Sequence, residues 1–412
     1  LLERSPEKTG RTNQFSARLA TQHLTGQSAQ TLQVFAQGKW GIVMAAPRKQ
    51  NKSPAGAWQR PPAEIAYSDE LDALRKADRS PKPPGWKLSL QAVKEFIFGS
   101  GGADAKIVCQ PSLIERAMVT LATSRGLLLT GEPGTAKSLL SELLAAAISG
   151  DSTLTMQGGA SLTEDQIKYG WNYALLVSEG PTERALVPAP LHRGLSEGKI
   201  VRFEEITRCP LEVQDSLLSV LSDRVLAIPE LGGEAGMLFA REGFNVIATA
   251  NTRDRGVNDM SAALKRRFNF ETVFPIRSAD EELALVKREA AKLLARSGVP
   301  QSPPDDVLQV LVTCFRELRT AVTEDGAGIE RLSSAMSTAE AVSIAHAVGV
   351  KGHFLRGDSG RPEDIVECLA GAAAKDNKDD LVKLRNYLEH KAAGRKGEAW
   401  RAFYMARHLL IA

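Results

Sequence analysis

The stretch Gly131-Glu-Pro-Gly-Thr-Ala-Lys-Ser138 constrains this chain more than any other. It stands between an apolar run, Gly126-Leu-Leu-Leu-Thr130, and a Leu/Ala-rich segment reaching about Ile148. A strand, a glycine-bearing turn and a long helix in that order form a loop that wraps phosphate. Backbone N–H groups of 134–138 would gather at the helix N-terminus, where the dipole favours negative charge. The pattern is Gly, four residues, then Gly-Lys-Ser/Thr, and Ala136 stands here in place of the second Gly. Lys137 is expected to reach the β- and γ-phosphates, and the Ser138 hydroxyl to ligate Mg²⁺. The expected nucleotide contacts are Gly131, Glu132, Pro133, Gly134, Thr135, Ala136, Lys137, Ser138 and Leu139. The bland alternative is a surface turn before a helix.

A second motif argues against that alternative. Lys199-Ile-Val-Arg-Phe-Glu-Glu205 is an apolar strand ending in two acids and resembles a Walker B element. The usual form ends Asp-Glu, whereas Glu204-Glu205 stands here with Arg202 inside the strand. The first acid is expected to hold the Mg²⁺ shell, and Glu204 does so with one extra methylene. The second, Glu205, is expected to orient or deprotonate the attacking water.

Short apolar runs at Leu154–Met156, Ile200–Phe203, Val246–Ala250 and Phe270–Phe274 alternate with helical patterns. Such alternation predicts a parallel sheet covered by helices on both faces. Upstream, the pattern predicts helices at Ser68–Ala77, around Leu88–Ile97 and at Ser112–Ala122, the last with Pro111 at its first turn. After Pro275 the strand signal ends, and residues 279–297, 304–319, 330–347, 362–371, 379–391 and 397–411 read as helices. Residues 47–66 carry Pro47, Pro54, Pro61 and Pro62 among polar residues and read as a linker.

Composition narrows the class. Of 412 residues, 43% are apolar and 25% charged, as in a globular protein. The sequence has no 18-residue apolar stretch and no secretory pattern, so neither a span nor export is expected. Cys109, Cys209, Cys314 and Cys368 are far apart, which argues against both a disulfide framework and a metal cluster. A reducing cytoplasm is the simplest expectation. Residues 1–60 carry nine Lys/Arg against two Asp/Glu, a balance of +7. The whole chain carries +3, so the remainder carries −4. The basic start reads either as a solvated tail or as a docking segment for an acidic partner, nucleic acid or a neighbouring subunit.

At this point the sequence resembles the MoxR-type AAA+ ATPases of the helix-2-insert group, over roughly residues 105–350. Glu204-Glu-Ile-Thr-Arg-Cys-Pro-Leu-Glu-Val-Gln-Asp-Ser-Leu-Leu-Ser-Val-Leu221 resembles the family's extended Walker B helix and is the most specific stretch. Ile107–Arg116 resembles the family's lead-in beside the adenine. The resemblance implies a P-loop AAA+ α/β core, followed by an all-helical lid domain; the helical pattern beyond it adds a helical C-terminal extension, which either docks a partner or extends the lid. The expected boundaries are a basic, Gln-rich and Pro-rich segment at 1–87, the nucleotide-binding domain at 88–275, the lid at 276–350 and the extension at 351–412. It implies that Asn251, at the tip of Phe244–Asn251, holds the attacking water as sensor 1. Arg267, with Arg266 beside it, falls on the arginine finger that acts on the next subunit's ATP. Arg208 falls near the subunit boundary, with a solvated helix-start arginine as its alternative. The sensor-2 arginine is replaced by Ala339, with Arg331 two turns earlier. Residues 161–190, bearing Tyr169, Trp171 and Tyr173, match the helix-2 insert, with core packing as the alternative for the aromatics. Residues 224–243 match the hairpin before sensor 1, with Gly232–Gly233 as its turn.

The implied cofactors are ATP and Mg²⁺. The implied assembly is a homo-oligomeric ring, usually a hexamer. The implied role is a remodelling chaperone ATPase acting on a protein client with a von Willebrand factor A-domain partner. Two other roles share the core: a nucleic-acid motor, and a nucleotide-gated scaffold with weak hydrolysis. The modest net charge and the absence of a recognised DNA-binding module weigh against the motor.

Overall fold

The computed structural model describes residues 58–99, 104–251, 260–334, 336–375 and 377–410. The basic start and most of the proline-rich linker lie outside the described residues. Among the described residues the strands are β1 (Gly126–Gly131), β2 (Thr155–Gln157), β3 (Tyr169–Trp171), β4 (Leu186–Pro188), β5 (Ile200–Glu204), β6 (Val225–Ala227), β7 (Met237–Phe239), β8 (Asn245–Asn251) and β9 (Phe268–Thr272). Five of them form one sheet in the order β2-β5-β8-β1-β9, and every pairing in it is parallel.

Period-two alternation sorts the side chains of this sheet into two layers. Leu127, Leu129, Ile200 and Ile247 share one cluster with the helices Leu90–Phe98, Pro111–Leu121 and Lys137–Ser149. Leu128, Val201, Phe203, Val246 and Ala248 face the opposite layer, with Leu191, Leu195 and the Val213–Leu221 segment. Both faces are therefore buried, as a parallel sheet requires.

Two antiparallel pairs stand apart from the sheet. β3 pairs with β4, and the helix Tyr173–Glu179 lies between them. Tyr169 and Trp171 meet edge to face with centroids 6.1 Å apart, but Tyr173 is 74% exposed. Core packing therefore does not account for all three aromatics. β6 pairs with β7, and the connection between them contains Gly232 and Gly233, both at positive φ.

The predicted helix at 68–77 spans Ser68–Ala77. Other boundaries differ from the sequence reading. The last strand begins at Phe268 rather than Phe270, because Gly126 pairs with Phe268 in the ladder; Phe274 lies beyond the strand and is exposed. The helix expected at 330–347 begins only at Thr338. Ser337 accepts from the Glu340 N–H while Glu340 accepts from the Ser337 N–H, and this capping box sets the start. Within the expected linker, Ala63–Ala66 forms a helical turn and the Ala63 N–H donates to Glu142.

From Val286 to Leu410 the helices share one hydrophobic cluster, so those after 350 pack into the same core as those before it. Three helices here run on into π-turns, at Gly352–Arg356, Ala370–Ala374 and Leu388–Ala392.

Glu282 ties three of these helices together. It is fully buried and accepts from Arg319 (2.6 Å), Thr338 (2.6 Å) and Arg316 (2.8 Å). Burial pushes its carboxyl up, but Arg319, Thr338 and Arg316 outweigh burial and hold it below the ordinary value. Its contribution to stability is thus complete above the ordinary carboxyl range and is lost as pH falls through the lower folded value. Glu282→Gln is expected to cost about 3–5 kcal/mol by stranding two arginines. Thermal unfolding at neutral pH checks this, and a wild-type melting temperature would contradict it.

Candidate active site

The carboxyl ends of β1, β5 and β8 converge, which is where parallel sheets place ligands. In register, Gly131 at the end of β1 sits beside Asn251 at the end of β8. Above them lies a cavity of about 670 Å³, within the range of small-molecule sites. Its lining includes the whole 132–139 loop start, Glu205, Thr249 and Asn251. Ala63, Ala66, Tyr67, Ile107 and Val108 make an apolar wall within the lining, with the Lys106 ammonium over the Tyr67 ring. Leu293 and Val342 from the helical region also line it, with the charged Arg296 and Lys292.

The loop geometry follows from its residues. Gly134 has φ +77°, and a Cβ there would lie 2.1 Å from the Ser337 Cβ. Ser337, the cap of the Thr338–Lys351 helix, therefore rests directly on the loop. Ala136 adopts the left-handed region at φ 64°, ψ 24°, the conformation for which glycine is usual. Alanine accepts it at a cost of roughly 1–2 kcal/mol, and the helix starts with Lys137. Lys137 is buried; its ammonium donates to the carbonyls of Glu132 (2.7 Å) and Gly131 (3.0 Å).

The two acids separate sharply in environment. Glu204 is buried, and its two oxygens divide their partners. Oε2 accepts from the hydroxyls of Ser138 (2.7 Å) and Thr249 (2.8 Å). Oε1 accepts from Ser141 (2.6 Å) and from Arg202 Nη2 (2.8 Å). Burial raises the Glu204 carboxyl, but Ser141, Arg202, Ser138 and Thr249 together hold it below the usual range. Glu205 sits in the left-handed region at φ 54°, ψ 46°, with its N–H on Thr249 Oγ1 at 2.9 Å. Its carboxylate meets Arg208 at 3.1 Å and accepts from Gln157 at 3.3 Å. A strained backbone at a partly exposed carboxylate is the kind of outlier from which a functional role is proposed.

Oxygen donors from Ser138 and Glu204, 2.7 Å apart beside a phosphate loop, suit a hard divalent cation. Among the described residues no cluster of three or more His, Cys, Asp or Glu could hold a metal unaided.

The remaining expected residues lie elsewhere. Arg266 and Arg267 follow the Ala262–Lys265 turn, and Arg267 donates to Ser222 at 2.7 Å; neither lines the cavity. Ala339 does line it, in the first turn of its helix. Arg331 is 59% exposed and 4.0 Å from Glu132. Arg319 also lines the cavity, held by Glu282 and the Met336 carbonyl. Ser141, Thr249 and Gln157 are not among the residues the sequence singles out, and Arg202 stands out there as a departure inside the strand that bears on metal affinity and hydrolysis. One signal was available: 202 and 204 lie two apart in a strand and so share a face.

The family model described as AAA domain (dynein-related subfamily) matches residues 126–268. The model described as YehL-like AAA+ ATPase C-terminal domain matches residues 280–411. The chain is 62% identical over 354 residues to YehL of Escherichia coli (strain K12), which covers 85% of this chain and 98% of that one. It is 31% identical over 183 residues to the chaperone MoxR1 of Mycobacterium tuberculosis (strain ATCC 25618 / H37Rv), 44% of this chain and 45% of that one. Of solved structures, NtrX from Brucella abortus aligns with a TM-score of 0.44 at 12% identity, covering 74% of this chain and 63% of that one.

Proposed function

Because the chain belongs to the YehL-like AAA+ ATPases and is of the MoxR type, we propose that it hydrolyses ATP with Mg²⁺ at the cavity above β1, β5 and β8. The observation that carries this reading is the 2.7 Å contact between Ser138 and Glu204, set beside Lys137. The apolar wall at Tyr67, Ile107 and Val108 suits a purine base. The amides of 134–138 and the Lys137 ammonium would grip the phosphates. Bound Mg²⁺ supplies charge neutralisation at the phosphates, with Ser138 and Glu204 as its protein partners. Glu205 would turn from Arg208 to orient the attacking water, and Asn251 would hold that water near the terminal phosphate.

Arg266 and Arg267 lie off the chain's own cavity, which supports a role on the site of a neighbouring copy and hence a ring. The likeness to a protein named a chaperone supports remodelling of a protein client; a von Willebrand factor A-domain partner is part of the proposal. Among the described residues no helix is long and apolar enough to cross a membrane.

Glu205→Gln tests the enzymatic reading. Turnover is expected to fall about 10²–10⁴-fold, the usual worth of a general base, with nucleotide affinity unchanged. Equal steady-state rates for the variant and wild type would sink the enzymatic reading and leave a nucleotide-gated scaffold.

A further inference from the structure

Arg202 is 8% exposed and lies in the middle of β5 on the face that looks at the Lys137–Ser149 helix. A guanidinium buried there must have its donors met. Nε donates to Ser141 Oγ at 2.9 Å. Nη1 donates to the Ser152 carbonyl at 3.1 Å and to Thr155 Oγ1 at 3.3 Å. Nη2 donates to the Ser138 carbonyl at 3.0 Å and to Glu204 Oε1 at 2.8 Å. The planar fork is thereby fixed from β2, β5 and the helix at once.

Two consequences follow for Glu204. Its longer side chain has a torsion that an aspartate lacks, and Arg202 with Ser141 pins Oε1 and so freezes it. Only Oε2 is left facing Ser138 and the phosphate loop. The same guanidinium also holds the main chain of Ser138, so the hydroxyl and the carboxylate are set by one group.

We propose that Arg202 is a positioning residue for the metal shell: it splits the Glu204 carboxylate into a structural oxygen and a metal-facing oxygen, so that a glutamate serves where a shorter acid would need no such support. This rests on the reading that Mg²⁺–nucleotide binds here. Arg202 and Glu204 are then a matched pair, and neither should be replaceable alone.

The test is a double-mutant cycle on the full chain. A fluorescent, non-hydrolysable ATP analogue is titrated with excess Mg²⁺ and again with EDTA, and the ratio of affinities is the metal coupling. Arg202→Val is expected to lower that coupling about tenfold or more, with metal-free affinity unchanged. Glu204→Asp alone, which draws the carboxylate away from Arg202, is expected to lower it similarly. The double variant is expected to couple better than either single one. Purely structural roles would lower the melting temperature of the single variants without moving the coupling. Unchanged coupling in Arg202→Val, or a double variant no better than the singles, would overturn the proposal. Should Arg202→Val not fold, a double variant that folds and couples like wild type supports the proposal, and one that fails to fold overturns it. A wild-type chain with no metal coupling would instead remove the reading on which the proposal stands.

Discussion

Replacing Lys137 with alanine is expected to abolish nucleotide binding, with calorimetry showing no saturable heat where the wild type saturates. The ammonium already sits between two main-chain carbonyls of the loop, at 2.7 and 3.0 Å, so little ordering remains to be done when phosphate arrives. Hydrogen bonds to charged groups are each worth about 1.5–3 kcal/mol. Two such bonds lost from the phosphates correspond to a fall in affinity of at least about 100-fold. Removing the lysine also leaves the phosphate charge facing amides alone. Unchanged affinity for ATP would contradict the assignment of the whole loop.

The second large effect concerns Arg267. Arg267→Ala is expected to bind nucleotide like wild type but to lose about 10³–10⁵ in turnover, the range for arginine fingers supplied in trans. The geometric reason is that Arg267 lies outside the chain's own cavity, with its Nε on Ser222. Mixing variants sharpens the test. An Arg267→Ala subunit keeps a whole site but offers no finger; a Glu205→Gln subunit offers a finger but has no working site. Combined, they are expected to recover part of the activity that each lacks alone. No recovery in mixed rings, or full activity of Arg267→Ala by itself, would refute the assignment to a neighbour's site.

The phosphate loop was legible because each of its signals is local. Glycines, a lysine and a hydroxyl at fixed spacing need no distant partner to be recognised. The helices of the second half were legible from periodicity, but their ends were not. Ser337 caps its helix through Glu340, and nothing in the apolar pattern of 330–336 marks that boundary. The start of β9 was set by its ladder with Gly126, a residue far away in the chain. The partners of Glu204 were hidden for the same reason. Ser141 and Thr249 lie 63 and 45 residues from it in sequence, and only the stacking of β5 between the helix and β8 brings them together. That the helices beyond 350 join the core of those before it could not be read either, since burial partners leave no mark on a helical repeat.

The seating of Ser337 on Gly134 has one more implication. Where two segments touch at a residue with no side chain, either can shift only if the other yields. The Thr338–Lys351 helix is thus geared to the loop by direct steric contact, beside the longer-range pair of Arg331 and Glu132 at 4.0 Å. Loading and emptying of a nucleotide should then be visible as motion in the helical bundle that includes Leu410.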